Sequence, residues 1–332
     1  MKRLVVLSDG TWSNKRDRTN VIRFRESIAT TGQDDPLQPC FYDSGVGTHW
    51  YDRFTGALFG RGLSIKIRQD YSWLCEKYSP GDEIFVFGFS RGAYTARSLV
   101  GLIRKSGLLN APTPELVQQA YDLYRNKDFS ADSSDAMNFR SHHSREVRVR
   151  FIGVWDTVGA LGIPVAHVPF SRDYYRFHDT ELSKIVDHAY HAVAVDERRK
   201  DYAPTVWTVI KPENIEVEQR WFIGAHSNVG GGYDNDPLPN LTLRWMQDKA
   251  EAAGLLLRDK CDVGSDEPLA LVRDSYAEFM FGAYKIFKDP LDRPFGLGVN
   301  EKIDDSIWQR WRVLSEYRPR TLRNHPDCPP RP

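Results

Sequence analysis

Cysteine is scarce in this 332-residue chain, which holds four, at Cys40, Cys75, Cys261 and Cys328. They are scattered, without the paired spacing of a zinc site or the density of a disulfide framework. We therefore expect reduced thiols in a cytosolic setting and no bound metal. The sequence predicts no cofactor.

Long apolar runs are missing as well. The N-terminus is basic and then apolar, but the apolar run Leu4–Leu7 ends at Ser8, which makes it too short for a signal-peptide core. No stretch approaches the ~18 apolar residues that cross a membrane as a helix. These absences predict a cytoplasmic protein without a transmembrane segment. Export without a cleaved signal peptide and peripheral contact with a membrane stay open.

The chain also lacks a net charge, since Lys and Arg together number 45 and so do Asp and Glu. A basic field that would attract nucleic acid is therefore absent, and no nucleic acid partner is predicted. Repeats, low-complexity tracts and clear linkers are absent too. We predict a single domain over residues 1–332, with a catalytic core over about 1–235 and a mainly helical part over about 236–320.

The sequence does contain an alternation of strand and helix patterns. Short apolar runs predict strands at Leu4–Leu7, Cys40–Tyr42 and Ile84–Phe87, each followed by a segment with helical spacing. This order predicts an α/β fold with a mostly parallel sheet, helices on both faces and helical insertions. Further along, 147–155 and 220–224 are predicted strands, 128–145 is a predicted polar loop, and 179–195, 239–254, 266–287 and 305–316 are predicted helices.

One glycine-flanked serine stands at a strand–helix junction. The stretch Gly88-Phe89-Ser90-Arg91-Gly92 follows the predicted strand Ile84–Phe87 and precedes a predicted helix. Strand, sharp turn and helix is the arrangement of a nucleophile elbow, in which the flanking glycines make room for a strained serine. The hydroxyl would lie at the helix N-terminus, where the helix dipole favours developing negative charge. Ser90 is therefore the candidate nucleophile.

A serine nucleophile needs a base and a carboxylate that orients the base. Two later predicted strands end in such residues, since Asp156 follows 147–155 and His226 follows 220–224. The order Ser, Asp, His is that of the α/β-hydrolase architecture. The alternatives are His49 for the base and, for the acid, Asp196, Asp234 and Asp236.

An oxyanion hole needs two backbone N–H groups. In this architecture one belongs to the residue after the nucleophile, here Arg91. The other belongs to a loop after an early strand, where Gly10 or Thr11 fits. Asp9 is placed with the substrate-binding residues, although ordering of this loop through backbone amides is the stronger interpretation of its carboxylate.

A glycine-rich loop and an aromatic stretch follow the second predicted strand. Because the carboxyl ends of parallel strands share one edge of the sheet, Gly45 and Gly47 should lie near Ser90 and bind substrate. Trp50 opens the aromatic stretch 50–59 and is a further candidate for substrate binding. This stretch is predicted to form a lid that opens against lipid. The alternative is that its aromatic side chains pack beneath a long loop.

Five stretches, taken together, resemble a known family. They are Asp9-Gly10-Thr11-Trp12, Gly45-Val46-Gly47-Thr48, Phe87-Gly88-Phe89-Ser90-Arg91-Gly92-Ala93-Tyr94, Gly153-Val154-Trp155-Asp156-Thr157-Val158-Gly159 and His226-Ser227-Asn228-Val229-Gly230-Gly231-Gly232-Tyr233. As a set they resemble the α/β-hydrolase family that includes the phospholipase effectors of the bacterial type VI secretion system. The resemblance implies Ser90 as nucleophile, Asp156 as acid and His226 as base.

The chain departs from the family pattern at Asn228, where an aspartate commonly stands two residues after the histidine. An amide cannot supply the acid, which strengthens Asp156. The predicted function is a serine ester hydrolase of the lipase or phospholipase type, acting on an acyl-ester or phospholipid substrate. A soluble carboxylesterase or thioesterase and a catalytically idle binding module are the alternatives.

Overall fold

The computed structural model describes residues 1–10, 18–29, 36–44, 56–158, 180–282, 284–323 and 325–328, without the side chains of 56–61, 280 and 281. Its strands are β1 (Arg3–Ser8), β2 (Cys40–Asp43), β3 (Glu83–Phe89), β4 (Leu108–Leu109), β5 (Ser144–Arg145), β6 (Val149–Trp155), β7 (Val186–Ala194), β8 (Glu216–Phe222) and β9 (Glu301–Ile303). Seven of them form one sheet in the order β2-β1-β3-β6-β7-β8-β9, and each neighbouring pair is parallel. The predicted parallel sheet is confirmed.

Helices connect the strands. They are α1 (Asn20–Ser27), α2 (Gly56–Lys77), α3 (Arg91–Ser106), α4 (Pro114–Arg125), α5 (Ser134–His143), α6 (His226–Gly230), α7 (Leu238–Ala252), α8 (Ser275–Glu278), α9 (Tyr284–Phe287) and α10 (Asp305–Val313). The side chains of Thr19 and Thr113 accept backbone N–H groups at the starts of α1 and α4, as N-cap residues do. Within the described ranges, no helix has the length and apolar character needed to span a bilayer.

The central strands are buried on both faces of the sheet. Successive side chains of a strand point to opposite faces, so one strand contributes side chains to two apolar clusters. On β3, Ile84 and Val86 belong to one apolar cluster with side chains of α2 and α3. Phe85 and Phe87 belong to a second cluster with side chains of α1 and α7. Fully burying one such side chain contributes roughly 1.5–3 kcal/mol. Helices therefore cover both faces, as predicted.

The prediction of a helix over 179–195 is wrong, because Val186–Ala194 forms strand β7. It lies between β6 and β8. Almost all of its residues are buried, on both faces of the sheet, and they include Asp187 and His191. The strand therefore shows no alternation of polar and apolar residues by which spacing could identify it. His191 therefore lies within the sheet, where its Nε2 accepts the Thr157 backbone N–H at 3.1 Å. Burial lowers the pKa of His191 to about 3.

Two smaller predictions also need correction, and one strand has no predicted counterpart. The predicted loop over 128–145 contains α5, whose buried residues are Ala136 and Arg140, so it carries almost no apolar period. The helix predicted over 266–287 is broken into α8, α9 and short 3-10 turns. Strand β9 was not predicted, because three residues carry no pattern. The described C-terminal part is therefore less regular than expected.

Candidate functional site

Ser90 stands between β3 and α3 in a strained conformation. Its φ is +58° and its ψ is −119°, a region that residues with a side chain rarely occupy. A Cβ on Gly88 would lie 2.4 Å from the Gly92 carbonyl oxygen, and one on Gly92 would lie 2.0 Å from the Ser8 carbonyl oxygen. The turn therefore needs glycine at both positions. Its tight packing against β1 brings Ser90 to the carboxyl edge of the sheet.

His226 is the first residue of α6, which follows β8. Its Nε2 lies 2.8 Å from Ser90 Oγ. The imidazole is buried between the rings of Phe89 and Tyr202, at centroid distances of 4.7 Å and 5.0 Å. This burial lowers the pKa of His226, although the nearby Asp156 carboxylate opposes the shift. The imidazole is therefore neutral at neutral pH, and a neutral imidazole can accept a proton.

Asp156 directly follows β6, which lies next to β3 in the sheet, and has a positive φ of 37°. Its Oδ2 lies 2.6 Å from His226 Nδ1, and its Oδ1 accepts the Ala194 backbone N–H at 2.9 Å. Burial would raise the pKa of Asp156, but the Arg293 guanidinium and the hydrogen bond with His226 outweigh it and hold the pKa far below its usual range. The carboxylate is thus ionised, and it fixes the His226 tautomer that carries the proton on Nδ1.

Arg293 is a site residue that the sequence did not reveal. Its guanidinium binds the Asp156 carboxylate in a bidentate manner: Nη1 donates to Oδ1 at 2.6 Å and Nη2 donates to Oδ2 at 2.9 Å. The same nitrogens donate to the carbonyl oxygens of Ala194 and Tyr202 at 2.7 Å and 2.5 Å. Arg293 lies in the irregular segment between α9 and β9, where an arginine beside proline and aspartate gives no signal of burial.

Among the described contacts, the rival carboxylates bind elsewhere. Asp196 accepts the Gly224 backbone N–H at 2.7 Å and the Tyr317 hydroxyl at 2.9 Å. Asp236 accepts the Asn228 side-chain amide at 2.8 Å, and Asp234 is exposed. His49, the rival base, lies outside the described residues.

Glu197 and Arg199 form a buried ion pair beside His226. The Arg199 Nε and Nη2 donate to the two Glu197 oxygens at 2.9 Å and 2.7 Å. Glu197 Oε2 also accepts the His226 backbone N–H at 3.2 Å and the Ser275 hydroxyl at 2.9 Å. Burial would raise the pKa of Glu197, but Arg199 lowers it to about 2. The pair therefore anchors the start of α6 without adding net charge.

The predicted oxyanion and substrate residues are only partly within the described chain. Arg91 is the first residue of α3. The Gly10 N–H donates to Asp9 Oδ1 at 2.7 Å, so Asp9 does contact a backbone amide of this loop. The other carboxylate oxygen of Asp9, Oδ2, accepts hydrogen bonds from the hydroxyls of Thr19 and Tyr42 at 2.6 Å and 2.9 Å. Because the Asp9 carboxylate is buried and bonded by these three donors, the contacts favour an ordering role over substrate contact.

The remaining predicted residues, Thr11, Gly45, Gly47 and Trp50, lie outside the described residues. Most of the predicted lid over 50–59 lies there too. Its last four residues belong to the first turn of α2, which begins at Gly56. That end of the stretch is therefore helical, contrary to the expectation of an irregular loop.

Asn228, the departure from the family pattern, is fully buried within α6. Its Oδ1 accepts the backbone N–H groups of Ala225 and Arg273 at 3.0 Å and 3.2 Å. The amide thus supports the turn from β8 into α6. In the described ranges, no group of three or more His, Cys, Asp or Glu side chains is arranged to hold a metal ion.

A parallel sheet with a strained serine, a histidine and an aspartate at its carboxyl edge defines a protein of the α/β-hydrolase fold. Residues 2–249 match the family model described as T6SS phospholipase effector Tle1-like, catalytic domain. The chain therefore belongs to that family.

One sequence relative and two solved structures illustrate the range of similarity. The uncharacterized protein YEL023C of Saccharomyces cerevisiae is 30% identical over 233 residues, which are 62% of this chain and 33% of that protein. The crystal structure of an uncharacterized Pseudomonas aeruginosa protein shares 19% identity, with a TM-score of 0.43, over 77% of this chain and 46% of that one. The Tle1 effector bound to the VgrG spike of the type VI secretion system shares 18% identity, with a TM-score of 0.36, over 72% and 53%. The chain thus spans about a third of the length of the curated relative that it matches.

Proposed function

We propose that this chain is a serine ester hydrolase that cleaves acyl esters of lipids, with Ser90, His226 and Asp156 as its catalytic residues. One observation carries the proposal. Ser90 Oγ lies 2.8 Å from His226 Nε2, and His226 Nδ1 lies 2.6 Å from Asp156 Oδ2. This chain of hydrogen bonds links a nucleophile to a neutral base and the base to an ionised carboxylate. Membership in a phospholipase effector family supports the same class of reaction.

In the proposed reaction, His226 Nε2 takes the proton of Ser90 as Oγ attacks the acyl carbonyl carbon. Asp156 stabilises the imidazolium that forms. The imidazolium then protonates the leaving alcohol, and an acyl-serine ester remains. His226 next takes a proton from water, the resulting hydroxide attacks the acyl-serine ester, and the carboxylic acid is released as Ser90 recovers its proton.

The negative charge on the carbonyl oxygen needs two donors. We propose the Arg91 backbone N–H as the first, because it opens α3 directly after the nucleophile. Gly10 and Thr11 stay the two candidates for the second. Gly10 would have to give up its hydrogen bond to Asp9 Oδ1, 2.7 Å long, in order to serve.

The proposed substrate is a phospholipid, and the name of the matching family is the support for this choice. We expect the protein to release fatty acid from phosphatidylcholine and phosphatidylglycerol vesicles and to react with a fluorophosphonate probe. Fatty acid release and covalent labelling are measured on the same preparation, with fluorophosphonate-blocked protein as the control. If the protein hydrolyses p-nitrophenyl butyrate or an acyl thioester but does not cleave phospholipid, it is a soluble esterase or thioesterase. Neither labelling nor hydrolysis would indicate an idle binding module.

Gly92→Ala should damage the site through the backbone. The new Cβ would lie 2.0 Å from the Ser8 carbonyl oxygen, so the start of α3 must move away from β1. Overpacking of this kind costs about 1–3 kcal/mol, and a displacement of about 1 Å at the nucleophile costs about 10²-fold in turnover. Thermal unfolding and ester hydrolysis measure the two effects.

The matched control is Gly101→Ala on the same helix, where the new Cβ meets the Tyr124 side chain at 2.9 Å. A side chain can move where a backbone carbonyl cannot. We therefore expect a smaller loss of stability and near-normal turnover. Equal turnover of both variants would show that the α3–β1 contact does not position Ser90.

A further inference from the structure

Arg293 is a buried cation that contacts Asp156, one of the three hydrogen-bonded residues Ser90, His226 and Asp156. It lies outside the region that matches the family model. The family match ends at residue 249, whereas Arg293 lies between α9 and β9 and is 1% exposed. Its guanidinium makes four hydrogen bonds of 2.5–2.9 Å, two to Asp156 and two to the carbonyl oxygens of Ala194 and Tyr202. A buried arginine with this many fixed partners holds its carboxylate in one orientation.

Two cationic groups compete for Asp156 once His226 is protonated. The imidazolium would face Oδ2, which also accepts from Arg293 Nη2 at 2.9 Å. An aspartate alone would strongly favour the imidazolium, because an opposite charge within hydrogen-bond distance stabilises the charged form. Here the guanidinium has already offset that negative charge. Asp156 therefore keeps its hydrogen bond to His226 but gives less electrostatic stabilisation to the imidazolium.

Among the described residues, Glu197 and Arg199 are the other charged groups next to His226, and they form a neutral pair. Glu197 accepts the His226 backbone N–H, and Arg199 binds both carboxylate oxygens of Glu197. The Arg199 guanidinium carbon lies 3.5 Å from the centre of the Tyr202 ring that covers His226. Since this pair has no net charge, two influences remain on the protonation of His226. Burial of the ring disfavours the imidazolium, and the Asp156 carboxylate favours it to the extent that Arg293 leaves its charge uncompensated.

We propose that Arg293 is a positioning residue of this site: it holds the Asp156 carboxylate in one orientation and offsets its charge, which reduces the stabilisation that Asp156 gives to a protonated His226. The inference rests on the proposed function for its importance in hydrolysis. Its effect on the protonation of His226 can be measured without any activity. It also makes the C-terminal segment part of the site.

The test is a pH titration of His226 by NMR, with histidine labelled on the ring carbons and His226→Gln used to assign the signal. In the unmodified protein the midpoint should lie below pH 6.5, the ordinary value for histidine. Arg293→Gln should raise the midpoint by about one pH unit or more, because the lone Asp156 charge then favours the imidazolium. Arg293→Lys keeps the positive charge but loses the bidentate hydrogen bonds, so the His226 midpoint in this variant should stay near that of the unmodified protein.

The matched control is Arg310→Gln, which removes another buried arginine, one that donates to the carbonyl oxygens of Pro268 and Ala270. It should lower stability without moving the His226 midpoint. The acidic limb of kcat/KM for a soluble ester should shift with the midpoint in the Arg293→Gln protein. An unchanged midpoint in that variant would overturn the proposal, as would a midpoint of 6.5 or higher in the unmodified protein if the variant does not fold. Failure of the proposed function would appear separately, as an absence of hydrolysis and probe labelling with the titration shift intact.

Discussion

Ser90→Ala should lower ester turnover by about 10⁶-fold, the loss seen when a serine hydrolase loses its nucleophile. The substitution removes Oγ, the atom 2.8 Å from His226 Nε2, and leaves the Cβ and the elbow in place. Folding should therefore stay near normal. Turnover, fluorophosphonate labelling and thermal unfolding are measured on the purified variant.

The matched control is Ser106→Ala at the other end of the same helix. Ser106 is fully buried and donates to the Ala120 carbonyl oxygen at 3.0 Å. Loss of that hydrogen bond should cost about 1 kcal/mol of stability and leave turnover intact. Fluorophosphonate labelling of the Ser90→Ala protein at the unmodified rate would show that another residue is the nucleophile.

Asp156→Asn should lower turnover by about 10⁴-fold, as a tautomer-disrupting change does in another serine hydrolase. The amide does not hold His226 with its proton on Nδ1, and it no longer stabilises the imidazolium. It also leaves the buried Arg293 without its counter-charge, and breaking a buried ion pair costs about 3–5 kcal/mol. Turnover must therefore be measured per folded molecule, with the folded fraction taken from circular dichroism.

Asp196→Asn separates the two carboxylates that the sequence leaves in competition. Asp196 accepts from the Gly224 N–H and the Tyr317 hydroxyl, and burial raises its pKa. Its substitution should lower the free energy of unfolding while turnover per folded molecule stays close to normal. The opposite ranking of the two variants would show that Asp156 is not the acid.

The local sequence by itself determined the elbow and its surroundings. Ile84–Phe87 is apolar enough to be a buried strand, and Gly88 and Gly92 stand where a Cβ would overlap backbone atoms. Both features depend on neighbours a few residues apart, which is the range over which residue patterns carry information. The alternation of strands and helices then places Asp9, Ser90 and Asp156 at one edge of a parallel sheet.

Tertiary structure decided which groups meet at that edge. The sequence offered several carboxylates for His226. The strand order β3-β6-β7-β8 places the ends of β6 and β8 at the same edge of the sheet, where Asp156 contacts His226. Strand β7 reads as a helix in isolation because burial on both faces removes the alternation that identifies a strand. Each decision depends on segments far apart in the chain.

Arg293 shows the limit of sequence analysis most clearly. It lies 137 residues after Asp156, in a segment without a regular pattern, and an arginine is exposed in most proteins. Its burial depends on the Asp156 carboxylate and on the carbonyl oxygens of Ala194 and Tyr202, all of them about 90 or more residues away in the sequence. The sequence determined which residues we propose for ester hydrolysis, and the assembled fold decided their electrostatic environment, because the free energy of a buried charge depends on partners that only folding brings together.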